Sequence, residues 1–299
     1  MPQRRSVRVP GSSANLGPGF DALGLALAVY LECDFEKAVE LRISAEGRDA
    51  GSIPLDATNL IWRTACRVAT ANGHAMPPVN LAIRNGIPIG KGLGSSATAL
   101  VAGVVIASET LELGWDAHRI LDEAARLEGH PDNVAASVLG SITTAAIDSA
   151  GITRAIRIDM PANIRAAVVC PNFELATNFM RTVLPECYTR EDAIFNLQRA
   201  TLLVAGLATG NREAFPEAFR DRFHQPYRMK MVPGMEEILN LRAPGLLGCA
   251  LSGAGPAILV FYEEGRETVL ELVRERFHHA GRASEIVVRD VDRDGLRIS

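Results

Sequence analysis

The segment from Ile87 to Leu113 constrains this chain more than any other. Glycines stand at alternate positions 90, 92 and 94, Ser95 and Ser96 follow, and 97–113 reads as a strongly apolar helix that Gly114 can end. Such a helix belongs at the centre of a core, with other elements packed around it. At its head, alternate glycines let the backbone approach an anion and turn successive N–H groups inward. A helix N-terminus capped by serines adds partial positive charge at the same place. Pro88-Ile89-Gly90-Lys91-Gly92-Leu93-Gly94-Ser95-Ser96-Ala97 is therefore a candidate phosphate loop. The pattern G-x-x-x-x-G-K-S/T fails because Gly92 follows Lys91, and G-x-G-x-x-G fails because the glycines are spaced two and two. The bland alternative is a tight turn ahead of a buried helix.

Around this helix, residues 6–9, 25–35, 40–45 and 79–83 read as strands, and 59–72 and 117–128 as helices, with a small-residue helix continuing to 139. The composition then changes, and a boundary near residue 158 divides the chain into domains 1–158 and 159–299. The second half offers strands at 164–170, 247–251, 257–261 and 285–291, and helices at 190–209, 212–222, 234–241 and 267–279.

Three further segments carry chemistry. Pro10 to Asp21 reads as a twelve-residue loop of small and polar residues, longer than a plain hairpin needs. Within it Asn15 and Asp21 suit either a cationic or hydroxylated ligand, or turn capping. Glu128-Gly129-His130-Pro131-Asp132-Asn133 places a carboxylate close to the phosphate loop, where a hard cation such as Mg²⁺ takes oxygen ligands. Asp132 reads also as a helix N-cap, and His130, without a second histidine at ligand spacing, as structural. Arg181 and Arg228 are candidate carboxylate clamps or surface ion pairs. Ser252-Gly253-Ala254-Gly255-Pro256 either closes the nucleotide site or joins two strands.

Bulk properties narrow the class. With 299 residues, 47% of them apolar, the chain can bury a large core, and its net charge of −4 offers no positive field for a nucleic-acid partner. Five scattered cysteines with no C-x-x-C pair read as reduced thiols of a cytoplasmic protein. No apolar stretch follows Met1-Pro2-Gln3-Arg4-Arg5 as in a signal peptide, and the apolar runs 22–31 and 97–107 fall short of the roughly 20 residues that span a bilayer. The expectation is a soluble protein with no membrane contact.

Three of these segments occur in the order seen in the GHMP kinases; two of them match superfamily motifs, the phosphate loop being similar to P-x-x-x-G-L-G-S-S-A and Leu251 to Pro256 to the third motif. Ser12-Ser13-Ala14-Asn15-Leu16-Gly17-Pro18-Gly19-Phe20-Asp21, Glu128 to Asn133, Arg181-Thr182-Val183-Leu184-Pro185 and Gln225-Pro226-Tyr227-Arg228 resemble the branch that phosphorylates the side-chain hydroxyl of homoserine on the way to threonine. The resemblance runs along nearly the whole chain. It implies a two-domain α+β GHMP kinase fold, with a ribosomal protein S5 domain 2-like N-terminal domain and a ferredoxin-like C-terminal domain. ATP would lie on Gly90 to Ser96, with Asn59 near the base and Ser96 and Glu128 on Mg²⁺. Homoserine would meet Asn15, Asp21, Asn133, Arg181 and Arg228, with Thr177 near the transferred phosphate. A homodimer is implied as well. Some GHMP kinases have an aspartate at the position that Asn133 matches, so direct attack by the acceptor hydroxyl is expected, with Asp21 and Asp132 as the possible bases. The rival readings are a kinase for another small alcohol, of the mevalonate or shikimate class, and a non-catalytic binding module.

Overall fold

The computed structural model describes residues 4–288 and 290–299, without the side chain of Thr177. Met1 to Gln3 and Arg289, which fall within the N-terminal and last-strand expectations, lie outside the described residues. In chain order the first half comprises β1 (Arg5–Ala14), β2 (Leu23–Lys37), β3 (Arg42–Gly47), α1 (Leu60–Ala71), β4 (Val79–Asn85), α2 (Ser95–Thr110), α3 (Ala117–Glu128), α4 (Asp132–Leu139), β5 (Ile142–Ile147) and β6 (Thr153–Ile158). The second half comprises β7 (Ile164–Pro171), α5 (Thr177–Thr182), α6 (Arg190–Thr209), α7 (Gln225–Arg228), α8 (Met235–Leu239), β8 (Leu246–Leu251), β9 (Ile258–Glu263), α9 (Val269–His279), β10 (Ser284–Val288) and β11 (Arg297–Ile298).

The first sheet has seven strands, running β11-β1-β2-β4-β3 with β5 and β6 attached beside β2. Alternation along β1 and β2 sends Val7, Val9, Leu31, Cys33 and Phe35 to one face, where α2 and α4 cover them. The central place expected for the apolar helix is what α2 occupies: Ala97, Thr98 and all residues from Leu100 to Ser108 are buried. It packs so tightly on α1 that a Cβ on Gly103 would lie 2.6 Å from the Ile61 carbonyl oxygen. The opposite face of the sheet is charged. There Asp34 accepts hydrogen bonds from Arg84, Ser6 and Arg4, which hold its carboxyl well below the usual carboxylate range against the opposing effect of burial.

The second sheet is antiparallel with order β10-β7-β9-β8. Counting its strands along the chain, fourth, first, third and second lie side by side; α5 to α8 span the first connection and α9 the second, with α8 and α9 packed together on one face. This is the βαββαβ arrangement expected of a ferredoxin-like unit. Both its faces are covered, which is why β8 and β9 read as unbroken apolar runs. Ala167, Val169 and Val260 pack under α8 and α9, while Ala166, Val168 and Phe261 join the main core with Leu203 and Leu207 of α6. The chain then returns to its beginning, where β11 pairs with β1.

Several local expectations change. Pro10 to Ala14 is a continuation of β1 beyond a bulge at Pro10/Gly11, and its polar side chains are buried by hydrogen bonding to other segments. Residues 212–222 form two short 3₁₀ turns, Arg212–Ala214 and Glu217–Phe219, because Pro216 has no N–H to continue a helix. The Ser/Thr/Ala-rich stretch from Gly140 to Ala150 holds β5, and β6 follows it; neither strand was read from the sequence.

Candidate active site

The phosphate loop joins β4 to α2, and Gly90, Gly92 and Gly94 hold φ values of +70°, +80° and +72°. A side chain is strained at such angles. Space matters as much: a Cβ on Gly92 would lie 2.2 Å from the Ser252 carbonyl oxygen, and one on Gly94 2.4 Å from Ser12 Oγ. Of the two readings of Ser252 to Pro256, the join between strands holds. The turn joins β8 to β9 and also seats the phosphate loop, with Ser252 Oγ donating to the Gly92 carbonyl (2.6 Å). The N-cap of α2 is Gly94, which makes no side-chain cap, so Ser95 and Ser96 belong to the first helical turn instead of capping it. Both residues line a cavity of ≈ 370 Å³, a size typical of small-molecule sites. Pro88, Ile89, Gly90, Gly92, Leu93, Gly94, Ser95 and Ser96 line it. Lys91 and Ala97 are not in the lining. Lys91 Nζ donates to the Phe173 carbonyl at 2.6 Å and Ala97 is buried beneath.

At the end of α3, Glu128 Oε2 accepts from Ser96 Oγ at 3.1 Å. Burial pushes the Glu128 carboxyl up, against the pull of His130 and Ser96. A hydroxyl and a carboxylate meeting beside the phosphate loop are the hard oxygen donors that Mg²⁺ prefers, so this pair fits the ion the resemblance implied. His130 also lines the cavity, beyond the structural role first given to it, and its Nδ1 lies 2.7 Å from Asp132 Oδ1. Burial pulls its imidazole down, but the bond and charge of Asp132, with Glu128 behind, outweigh it and raise the pKa. Asp132 opens α4, one position beyond the N-cap residue Pro131, and accepts from Asn133 N. Asn133 faces the same cavity, its Oδ1 accepting from Ser12 Oγ at 3.0 Å.

The turn after β1 is strained. Asn15, Leu16 and Asp21 hold φ values of +73°, +49° and +55°, which branched or bulky residues rarely adopt. Asn15 Oδ1 accepts from Asp21 N (3.0 Å) and its Nδ2 donates to the Gly253 carbonyl (3.0 Å), so it builds the turn while lining the cavity. Asp21 forms a two-pronged pair with Arg181 of α5, at 2.8 and 3.2 Å. Arg228 of α7 is 2% exposed and reaches the same cavity. It donates to the carbonyls of Met180 and Gly253 and to His224 Nδ1. Among the described residues no carboxylate pairs with it. Burial, with the neighbouring charge of Arg181, lowers its pKa to about 10. Asp21, His130 and Asp132 each bring a ligand atom within 4.8 Å of the others'.

Asn59 is the N-cap of α1: its Oδ1 accepts from Ile61 N and Trp62 N, and its Nδ2 donates to the Pro54 carbonyl. It lines the cavity, as do Leu60, Ile53 and Ile83. Thr177 opens α5, and its side chain lies outside the described residues. The cavity thus gathers Asn15, Asp21, Asn59, Glu128, Asn133, Arg181 and Arg228 around the glycine loop. Sequence reasoning missed His130 as a wall residue, although its place two residues from both Glu128 and Asp132 was the available signal.

Comparison with known proteins agrees with this layout. The family model described as the GHMP kinases N terminal domain matches residues 59–141, and the GHMP kinases C terminal model matches residues 203–279. The homoserine kinase of Solibacter usitatus is 60% identical over 293 residues, covering 98% of this chain and 96% of that protein. That of Deinococcus radiodurans is 42% identical, covering 88% and 86% respectively. The crystal structure of homoserine kinase from Cytophaga hutchinsonii superposes with a TM-score of 0.86 at 25% identity, covering 99% and 97% of the two chains. At the level of fold alone, Streptococcus pneumoniae phosphomevalonate kinase in complex with phosphomevalonate and AMPPNP has a TM-score of 0.72 at 15% identity, covering 96% and 99%. The chain belongs to the GHMP kinases, and within them to the homoserine kinase family.

Proposed function

We infer that this chain transfers the γ-phosphoryl group of ATP to the side-chain hydroxyl of L-homoserine, giving O-phospho-L-homoserine and ADP as a step towards threonine. One observation carries the choice of acceptor. Arg228 is a buried guanidinium with no carboxylate partner among the described residues, and it shares a cavity with an acidic cluster of Asp21 and Asp132. A zwitterion satisfies both ends. Its carboxylate suits the forks of Arg228 and Arg181, and its ammonium suits Asp21, which would exchange its bond to Arg181 for one to the ligand. The 60% identity to a homoserine kinase over nearly the whole chain supports the same acceptor.

In this reading the N–H groups of Gly90 to Ser96 bind the triphosphate, and Asn59 marks the end of the cavity that takes the base. Ser96 and Glu128 would hold Mg²⁺, which when bound would neutralise phosphate charge. The acceptor oxygen forms its bond to the γ-phosphorus as the bond from phosphorus to the ADP oxygen breaks. The hydroxyl proton leaves late, to a phosphate oxygen or solvent. Such a transfer asks the protein for alignment and charge, with little covalent work. Asn133 orients the hydroxyl, and Thr177 belongs near the transferred group. Domains 1–158 and 159–299 contribute the nucleotide end and the carboxylate clamp respectively. The protein would work as a cytoplasmic homodimer, without nucleic acid or membrane. Among the described residues no helix is long and apolar enough to cross a bilayer, and the net charge is −4.

The test is Mg²⁺-dependent ADP release against a panel of small alcohols. Homoserine is expected to give the highest kcat/KM, above 4-hydroxybutyrate and mevalonate, which lack the ammonium. Preference for a hydroxy acid would overturn the acceptor, and no release with any alcohol would overturn catalysis itself.

A further inference from the structure

We propose that Ser12 and Ser137 are positioning residues, a two-hydroxyl relay that fixes the amide of Asn133 with its NH₂ towards the reacting oxygens. The proposal rests on the reading that Asn133 faces the acceptor, and it assigns buried serines of the first motif and of α4 that no step so far uses.

Both serines are fully buried, where a hydroxyl must find partners. Ser137 Oγ donates to Ser12 Oγ at 3.1 Å, and Ser12 Oγ donates to Asn133 Oδ1 at 3.0 Å. A hydroxyl has one proton to give, so a chain of two has a direction, and here it ends on the amide oxygen. The Asn133 Nδ2 protons are then the ones left for the cavity. That orientation suits the chemistry, because an acceptor hydroxyl oxygen and a γ-phosphoryl group both offer lone pairs and negative charge. A carbonyl turned the same way could only accept the hydroxyl's proton and would repel the phosphoryl oxygens.

The surroundings keep the relay rigid. Ser137 follows Asn133 by four residues, so the two share a face of α4. Ser12 N donates to the Leu93 carbonyl (3.0 Å), tying β1 to the phosphate loop. A Cβ on Gly94 would lie 2.4 Å from Ser12 Oγ and 3.1 Å from Asn133 Oδ1, so the relay passes directly beneath the head of α2. Asn133 is thereby a hydrogen-bond donor in the reaction, held by protein groups in place before substrate arrives.

Steady-state ADP release with homoserine and ATP varied separately tests this. Asn133→Ala is expected to lower kcat about 100-fold, the scale of a lost preorganised donor. Ser12→Ala is expected to lower kcat about fivefold, the scale of one lost neutral hydrogen bond, with the ATP KM within about twofold of the parent. Ser137→Ala, a substitution that favours the helix, should lower kcat about threefold and decides the matter should Ser12→Ala not fold. Added to Asn133→Ala, neither serine variant should slow the enzyme further, because the group they orient is gone. Factors that multiply in the double variants would mean a merely structural role and overturn the relay. So would serine variants with the parent kcat. An Asn133→Ala variant with the parent kcat would instead remove Asn133 from the site and take the relay with it.

Discussion

Gly92→Ala tests the phosphate loop through a cost that can be worked out in advance. At φ +80° any Cβ meets the left-handed penalty, about 1–2 kcal/mol. The new carbon would also lie 2.2 Å from the Ser252 carbonyl and 3.0 Å from Gly255 N and O, all backbone atoms of a turn that cannot swing aside as a side chain does. Overpacking of this kind adds about 1–3 kcal/mol, for a total of about 2–5 kcal/mol. Gly90→Ala is the internal control: φ is +70°, but the nearest atom to its Cβ is Glu174 Oε2 at 3.5 Å, an ordinary contact. Only the backbone penalty then applies. Urea unfolding and the ATP KM should rank the two variants the same way. Gly92→Ala is expected to raise the ATP KM at least about tenfold, equivalent to 1.4 kcal/mol, with a smaller change for Gly90→Ala. Equal effects from both would refute the claim that the Ser252 turn fixes the loop.

Three further outcomes are expected. Asp21→Asn should lower kcat/KM for homoserine about tenfold to 100-fold through loss of a charge-assisted bond, and should shrink the preference over 4-hydroxybutyrate; an undiminished preference puts the ammonium elsewhere. Lys91→Ala should leave the ATP KM within about threefold while lowering stability by about 1 kcal/mol, because the amine serves the Phe173 carbonyl and not the cavity; a higher ATP KM at parental stability would contradict this. Asp34→Asn should cost about 1–2 kcal/mol at neutral pH, a cost that starts to shrink only once the pH falls below about 4, the value of the unfolded carboxyl. The folded-state pKa of Asp34 is depressed, so its contribution is complete above the unfolded value and fades as pH falls. Urea unfolding across that range checks it, and a penalty independent of pH would rule out the ionised carboxylate as the cause.

What was legible in the sequence follows from how local the signal is. The place of α2 could be read because an apolar helix has nowhere to go but inward, and the shape of the glycine loop because alternate glycines ahead of a helix mark a backbone free to take the positive φ it has. Ser12 and Ser13 were read as loop residues. Their polarity hid a strand, since the partners that bury them, Asn133, Ser137 and Ser252, lie more than a hundred residues away. Separation along the chain likewise hid the pairing of Asp21 with Arg181, 160 residues apart, and the attachment of Lys91 to Phe173, 82 residues apart. Residues 212–222 were misread for a local reason, the interruption at Pro216. His130 was discounted for lack of a second histidine, when a carboxylate two residues away was partner enough.

The central claim is that one cavity seats a triphosphate on the glycine loop and a zwitterionic alcohol between Asp21 and the two arginines. A crystal structure with Mg²⁺, a non-hydrolysable ATP analogue and homoserine tests it most directly. The account predicts phosphates against the Gly90 to Ser96 amides, the metal on Ser96 and Glu128, and the homoserine carboxylate on Arg228. Phosphates bound away from Gly92, or a homoserine carboxylate with no contact to Arg228, would contradict it.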